Sequence, residues 1–128
     1  MARILVIDDD PFIRDVLKQT LERSRHNVVL AGDGEQGLQL FRENNFDLVI
    51  TDLIMPKKEG IETIVELRKI SPSARIIAIS GGYRLPAENY LKIATTLGVD
   101  GTLIKPFEKA DLISAVDDVL CQEQGAIQ

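Results

Sequence analysis

Five short apolar runs, rich in valine, isoleucine and leucine, alternate along this chain with longer segments whose apolar residues recur at helical spacing. Runs of this kind, apolar throughout, are typical of strands buried on both faces of a sheet. The predicted strands cover residues 3–7, 27–31, 48–51, 75–79 and 101–104. The predicted helices begin with one that starts at Pro11 and continue over 34–44, 60–70, 86–97 and 108–121. We expect Gly37 to let its helix approach the sheet closely and Gly98 to end the helix over 86–97. This alternation predicts an α/β fold, a five-stranded parallel sheet with helices on both faces and right-handed connections.

The size and composition of the chain indicate what class of protein it belongs to. Its 128 residues fit one domain, which we place at residues 1–122, followed by a polar C-terminal tail at 123–128. No apolar run approaches the roughly 20 residues that a membrane-spanning helix needs. A start without a signal-peptide pattern and a single cysteine, Cys121, favour a cytoplasmic location. The net charge of −5 argues against direct nucleic-acid binding by this domain. We interpret the only histidine, His26, as a surface residue and Cys121 as a small hydrophobic residue.

Polar side chains follow four of the five predicted strands, at the point where each strand ends. Asp8 and Asp9 follow the first strand, Asp52 the third and Ser80 the fourth, and Lys105 follows the fifth. In open parallel sheets, ligands bind outside the carboxyl ends of the strands. We therefore expect three carboxylates, one hydroxyl and one ammonium group to meet at this edge of the sheet.

An ordinary structural role is the alternative for each of these acids, because a carboxylate after a strand often caps the next helix. Asp10, directly before Pro11, fits that role as the N-cap of the first helix, with proline at N1. Since the cap is already supplied, Asp8 and Asp9 remain candidates for function. Asp52 precedes a proline turn rather than a helix, which favours a functional role for it more strongly.

The chemistry of such a cluster points to a cation and a phosphoryl group. Clustered carboxylates repel one another unless a proton or a cation relieves the repulsion. Their hard oxygen ligands suit Mg²⁺, which takes one or two carboxylates together with phosphate oxygens. A carboxylate can also be a nucleophile that forms an acyl phosphate, provided that positive charge neutralises the phosphoryl oxygens. We therefore predict that Asp52 is the phosphoryl acceptor, with Lys105 and Mg²⁺ supplying charge and Ser80 a hydrogen bond.

Four sequence blocks, ILVIDDD, DLVITDLIMPKKEG, IIAISGG and LIKPF, together resemble those of bacterial two-component response-regulator receiver domains, and their order and spacing match over nearly the whole chain. The resemblance implies the flavodoxin-like receiver fold with strand order 2-1-3-4-5. It also implies a Mg²⁺ site in which Asp9 and Asp52 bind the ion directly and Asp8 binds it largely through water. The backbone carbonyl of Ile54 is the remaining protein ligand that the family would use.

The resemblance also implies roles for the other site residues and for partners. Asp52 would be the phosphorylated residue, Ser80 the switch hydroxyl that turns toward the phosphoryl group, and Lys105 the family's lysine, with a cis bond to Pro106. The phosphoryl group would come from a sensor histidine kinase or a histidine phosphotransfer protein of a phosphorelay, and a downstream protein would be the target. We accordingly expect a signalling domain rather than an enzyme, one that assists its own phosphorylation and dephosphorylation.

The chain departs from the family pattern at several positions. Thr102 stands three residues before the lysine, where the family usually has Tyr or Phe, so we expect signalling without an aromatic switch. The segment 80–98 is a few residues longer than is typical. Ile54 and Gly82 occupy the positions two residues beyond the acceptor and the switch hydroxyl, where polar side chains of the family hold an attacking water. Their lack of polar groups predicts a long-lived phosphorylated state.

Two other classes of function are alternatives to the interpretation as a phosphoacceptor receiver domain. Phosphatases and dehalogenases with an aspartyl nucleophile usually carry a second acid two residues later, where this chain has Ile54. A degenerate receiver that only binds a partner would lack part of the acid, hydroxyl and lysine set, which is complete here. A stand-alone regulator and a receiver excised from a longer regulator both remain open.

Overall fold

The computed structural model describes residues 2–53, 60–81, 89, 92 and 95–127, with only the backbone described for 122–127. Within these ranges the strands and helices follow in this order: β1 Arg3–Ile7, α1 Pro11–Arg23, β2 Asn27–Ala31, α2 Gly34–Glu43, β3 Leu48–Asp52, α3 Gly60–Ile70, β4 Ile76–Ser80, β5 Gly101–Ile104 and α4 Lys109–Ile127. The strands form one parallel sheet in the order β2-β1-β3-β4-β5, which confirms the predicted fold and strand order. Among the described helices, none is long and apolar enough to cross a membrane.

The bounds of two strands differ by one residue from the prediction. β3 includes Asp52, and β4 runs from Ile76 to Ser80 rather than from residue 75 to 79. The difference arises because these polar residues still take part in the parallel ladder, where Asp52 pairs with Ile79 and Ser80 with Ile104. Asp52 and Ser80 are therefore held by strand hydrogen bonding rather than by a loop.

The last two predicted helices have different outcomes. The helix predicted over 86–97 lies mostly outside the described residues, although Thr95 and Thr96 are helical. The predicted stop at Gly98 is confirmed, because this glycine has a φ of 82° and donates its N–H to the carbonyl of Thr95. The predicted end of the final helix near Cys121 is wrong, since α4 continues to Ile127. Residues 122–127 contain no proline and are mostly good helix formers, which explains the extension.

The core has two halves because successive residues of a buried strand point to opposite faces of the sheet. Ile4 and Val6 of β1 pack in the half that α1 and α4 cover. Leu5 and Ile7 pack in the half that α2 and α3 cover. The close approach expected at Gly37 is confirmed, because a Cβ at this position would lie 2.7 Å from Cγ1 of Ile7.

Local features of the helix ends test three further predictions. The side chain of Asp10 accepts the N–H of Phe12 at 2.9 Å, which confirms it as the N-cap of α1. His26 was predicted to be a surface residue but is half-buried, and its Nδ1 accepts the N–H of Ala2 at 3.1 Å. Burial and the nearby N-terminal charge lower the pKa of His26. Cys121 is exposed rather than packed as a small hydrophobic residue, because its position on α4 faces away from the sheet.

Candidate functional site

The carboxyl edge of the sheet brings together side chains from three strands and the segments that follow them. Nζ of Lys105, which follows β5, lies 3.0 Å from Oδ2 of Asp52 at the end of β3. The same Nζ lies 3.2 Å from Oδ2 of Asp8, directly after β1. The lysine thus bridges two acids that are 44 positions apart in the sequence and lies 53 and 97 positions from them. The predicted approach of the Lys105 ammonium group to the carboxylates of Asp8 and Asp52 at this edge is therefore present in the structure.

Asp8 makes hydrogen bonds through its carboxylate, its backbone N–H and its backbone carbonyl. Its side chain is fully buried, and Oδ1 accepts the N–H of Asp10 at 2.9 Å while Oδ2 faces Lys105. Its own N–H donates to the carbonyl of Ala31 at 3.1 Å, continuing the ladder between β1 and β2. Its carbonyl accepts a hydrogen bond from Nη1 of Arg14 at 2.7 Å. These contacts hold both the side chain and the backbone of Asp8 in place. The next residue, Asp9, is exposed at the surface.

Three carboxylates form a cluster that suits a divalent cation. One oxygen from each of Asp8, Asp9 and Asp52 lies within 4.8 Å of the others. Oxygens that share an octahedral Mg²⁺ at about 2.1 Å are separated by about 3 to 4 Å, so small side-chain movements would bring these atoms to ligand distance. Burial differs among the three, since Asp9 is exposed while Asp8 and Asp52 are buried. These three carboxylates therefore form a donor set that fits Mg²⁺, and the ion would enter the site from solvent, on the side of Asp9.

The electrostatics of the cluster reflect burial and crowding. The pKa of Asp8 is raised from 3.8 to about 6. Desolvation by burial is the main cause and the charge of Asp52 adds to it, while the Asp10 N–H and Lys105 act in the opposite direction. Burial alone would lower the pKa of Lys105. The charges and hydrogen bonds of Asp52 and Asp8 outweigh burial and raise it above its usual value. Within the part of the chain that the structure describes, Lys105 is the cation that contacts the carboxylates of both buried acids.

Backbone contacts fix the remaining parts of the site. Ser80 is fully buried at the end of β4, and its carbonyl accepts the N–H of Lys105 at 2.7 Å. Gly81 passes directly over the lysine stem, because a Cβ at Gly81 would lie 3.2 Å from Cγ of Lys105. The Lys105–Pro106 bond is cis, as expected from the resemblance. Ser80 and Lys105 are thus positioned by the pairing of β4 and β5.

Two predicted positions near the site lie outside the described residues. Ile54, expected to offer its carbonyl to the cation, and Gly82, expected to leave the water position without a side chain, are both in this group. Their predicted roles therefore stay predictions. Thr102 lies within the described residues and is exposed on β5, as is Ile104 two residues later.

One residue of the site escaped the sequence analysis. Arg14 lies on α1, and its contact with the carbonyl of Asp8 ties this helix to the end of β1. A signal was present, because a cation close to a helix N-terminus opposes the helix dipole and needs a local reason. The first turn of α1 also contains no acidic residue. The acidic segment before the helix, Asp8 to Asp10, supplies that reason.

Known families and relatives provide an independent comparison. A family model described as "Response regulator receiver domain" matches residues 4–117. Chemotaxis protein CheY of Halobacterium salinarum is 32% identical over 118 residues, which cover 92% of this chain and 96% of that protein. Transcriptional regulatory protein CpxR of Escherichia coli is 36% identical over 120 residues, which cover 94% of this chain and 50% of CpxR. The chain thus spans nearly the whole of one relative and half the length of the other.

Solved structures agree with this comparison. A response regulator receiver domain protein of Clostridium thermocellum superposes with a TM-score of 0.89 at 32% identity, covering 97% of this chain and 98% of that one. The response regulator TrrA of Thermotoga maritima, solved in complex with Mg²⁺-BeF, gives a TM-score of 0.79 at 33% identity and covers 93% of this chain and 99% of that one. The likeness therefore extends over the sheet, the helices and the edge at which the acids meet.

Proposed function

The chain belongs to the response regulator receiver domain family, and we propose that its phosphoacceptor is Asp52, acting with Mg²⁺ held at the acidic cluster. As a family member it is a phosphoacceptor signalling module of a two-component system. The contact of Lys105 with Asp52 at 3.0 Å carries the proposal. This contact places a positive charge beside the carboxylate of Asp52, at the edge of the sheet where ligands bind.

The three acids differ in their fitness for the role of acceptor. Both oxygens of Asp8 are engaged, by the Asp10 N–H and by Lys105, and no part of its side chain reaches solvent. Asp9 is exposed and is better suited to binding a hydrated cation. The side chain of Asp52 is 10% exposed, which keeps it mostly desolvated and leaves it open to an incoming phosphoryl group. Desolvation favours a nucleophilic carboxylate because less hydration must be removed before attack.

The reaction is a transfer of one phosphoryl group. A carboxylate oxygen of Asp52 attacks the phosphorus of a phosphohistidine, a P–O bond forms, and the P–N bond to the imidazole breaks. Lys105 stays within contact of the acceptor oxygen and stabilises the charge of the equatorial oxygens. A Mg²⁺ ion held by Asp9, Asp52 and Asp8 would neutralise further phosphoryl charge. The products are an aspartyl phosphate and the free histidine of the donor.

Phosphorylation would alter the edge of the sheet beside Ser80. The hydroxyl of this residue stands at the end of β4, next to the strand that carries Thr102. We propose that the signal passes through Ser80 and the segment after it, without an aromatic rotamer change, because Thr102 is small and already exposed. The mechanism is a shift between two populations that the new phosphoryl contact biases.

Membership of the family indicates the classes of protein that act as partners. Receiver domains work with histidine kinases and downstream effectors. Relatives include one protein that the match covers almost completely and one that it covers to half, so both a stand-alone regulator and a receiver of a longer chain are compatible with the match. The T. maritima relative was solved with Mg²⁺-BeF, which supports the use of beryllofluoride as a phosphoryl mimic here.

Phosphoramidate labelling followed by intact mass spectrometry tests the proposal. The unmodified protein should gain one phosphoryl group with Mg²⁺ and none with EDTA, and Asp52→Asn should gain none under either condition. Asp118→Asn, which removes an exposed carboxylate on α4, is the matched control and should label like the unmodified protein. Full labelling of Asp52→Asn would overturn the assignment of the acceptor. Repeated turnover of a phosphoester substrate would instead favour a phosphatase.

A further inference from the structure

Arg14 is the one cation besides Lys105 that the described structure places in contact with the acidic segment. Nη1 of Arg14 donates to the carbonyl of Asp8 at 2.7 Å, and the residue is partly buried. A charged donor at this distance makes a strong hydrogen bond. The contact reaches the backbone of Asp8 and leaves both of its carboxylate oxygens to the Asp10 N–H and Lys105.

The surroundings of the guanidinium group are shaped to hold it in place. A Cβ at Gly32 would lie 3.2 Å from Nη1 and 3.8 Å from Cζ of Arg14, so the missing side chain leaves room for the group. The N–H of Gly32 is bonded to Oε1 of Gln36 at 2.7 Å, which fixes this glycine against α2. The arginine therefore connects α1, the end of β1 and the segment after β2.

We infer that Arg14 is a positioning residue for the cation site, acting through the backbone of Asp8. This inference rests on the proposed function, because it concerns the same acidic cluster. With the carbonyl of Asp8 pinned, the chain leaves β1 in one direction, and the exposed carboxylate of Asp9 is presented toward Asp52. Loss of the contact lets the segment Asp8 to Asp10 move, and the entropy of ordering it then opposes cation binding.

A purely electrostatic role for Arg14 predicts the opposite effect. A positive charge near a cation site repels the ion, so removing that charge would tighten binding. The two roles are therefore distinguished by the sign of the change when the arginine becomes an uncharged residue of similar length. Positioning predicts weaker Mg²⁺ binding for Arg14→Met, whereas electrostatic repulsion predicts tighter binding.

Calorimetric Mg²⁺ titration of four proteins at pH 8 tests the inference. These are the unmodified chain, Arg14→Met, Arg14→Lys and the control Arg23→Lys, which alters an exposed arginine at the end of the same helix. Because residues that orient metal ligands typically contribute tenfold or more to affinity, we expect Arg14→Met to bind Mg²⁺ about tenfold more weakly. Arg14→Lys keeps a charged donor and should recover part of the loss, while Arg23→Lys should bind like the unmodified chain.

Two further readouts separate positioning from general destabilisation. In phosphoramidate labelling, Arg14→Met should need more Mg²⁺ for half-maximal rate but reach a similar rate at saturating Mg²⁺. Without cation, hydrogen exchange of the Asp10 amide should be faster in Arg14→Met, because its acceptor, Oδ1 of Asp8, is no longer held still. Unchanged or tighter Mg²⁺ binding by Arg14→Met would overturn the inference. Failure of the unmodified chain to bind Mg²⁺ or to label would instead overturn the proposed function.

Discussion

Replacing Asp8 by asparagine should stabilise the protein at neutral pH when no divalent cation is present. The side chain of Asp8 is fully buried, and desolvation raises its pKa from 3.8 to about 6. At pH 8 the carboxylate is charged in both the folded and the unfolded chain, so the folded chain carries the full penalty of a buried charge. Asparagine has nearly the same shape and no charge, which removes that penalty.

The size of the effect follows from the pKa difference. About two pH units between the folded and unfolded pKa correspond to about 3 kcal/mol. The amide of Asp8→Asn cannot accept from both the Asp10 N–H and Lys105, which costs about 1 kcal/mol for one lost hydrogen bond. We therefore expect a net gain of about 2 kcal/mol in the free energy of unfolding at pH 8.

The pH dependence has a definite sign. Because the pKa of Asp8 is higher in the folded chain than in the unfolded chain, the folded protein binds more protons between about pH 4 and pH 6. The contribution of Asp8 to stability is therefore fully present below pH 3.8 and is lost as the pH rises through about 6. The advantage of Asp8→Asn should accordingly shrink from about 2 kcal/mol at pH 8 to about zero at pH 4.5.

Urea unfolding in EDTA, followed by far-ultraviolet circular dichroism because the chain has no tryptophan, measures this difference. Asp9→Asn is the matched control, and it should gain less at pH 8 because solvent screens the exposed carboxylate that it removes. Mg²⁺ should stabilise the unmodified protein more than Asp8→Asn. A stability difference that is the same at pH 4.5 and pH 8, or an Asp8→Asn variant less stable than the unmodified chain at pH 8, would refute the reasoning.

Three other predictions concern Lys105, two glycines and Ile54. Lys105→Met should lower the free energy of unfolding by about 1 to 3 kcal/mol at pH 8 in EDTA, because it removes a positive charge that contacts two buried acids, and by less at pH 5. An equal loss at both pH values in urea titrations would contradict this. Gly60→Ala should destabilise the fold by about 3 kcal/mol or more, because its Cβ would lie 2.6 Å from Cα of Leu53, the residue after the acceptor. Gly98→Ala should cost only about 1 kcal/mol, because the strain there comes from a φ of 82°. Thermal unfolding ranks these two variants, and the reverse order would show that the backbone beside Gly60 yields easily. Ile54→Asn should shorten the lifetime of the phosphorylated state by supplying a polar group for the attacking water, and an unchanged decay of the phosphoprotein signal in mass spectra would count against that role.

The parts of the fold that could be predicted from the sequence are those fixed by one dominant physical effect. Continuous apolar runs specify strands buried on both faces, and alternation with helices leaves a parallel sheet as the consistent solution. The sheet edge then brings Asp8, Asp52 and Lys105 together whatever the details of the loops. The cap at Asp10 and the close approach at Gly37 were predictable for the same reason, because each depends on a single local contact.

The errors arose where several weak effects compete. The end of α4 depends on small helix propensities in residues 122–127, without a proline or a strong cap to decide it. The half-burial of His26 depends on the amide of Ala2, a contact between segments 24 positions apart that no local pattern reveals. Arg14 gave only a weak signal, its unfavourable charge near the N-terminus of α1, because the backbone carbonyl of Asp8 that it contacts is not marked in the sequence.

Borohydride reduction of the phosphorylated protein tests the identity of the acceptor most directly. Reduction converts an aspartyl phosphate to homoserine, so peptide mass spectrometry identifies which aspartate carried the phosphoryl group. After labelling by phosphoramidate with Mg²⁺, we expect homoserine at position 52 and unmodified aspartate at positions 8 and 9. Homoserine at Asp8 or Asp9 with none at Asp52 would contradict the proposal that Lys105 and the end of β3 select the acceptor.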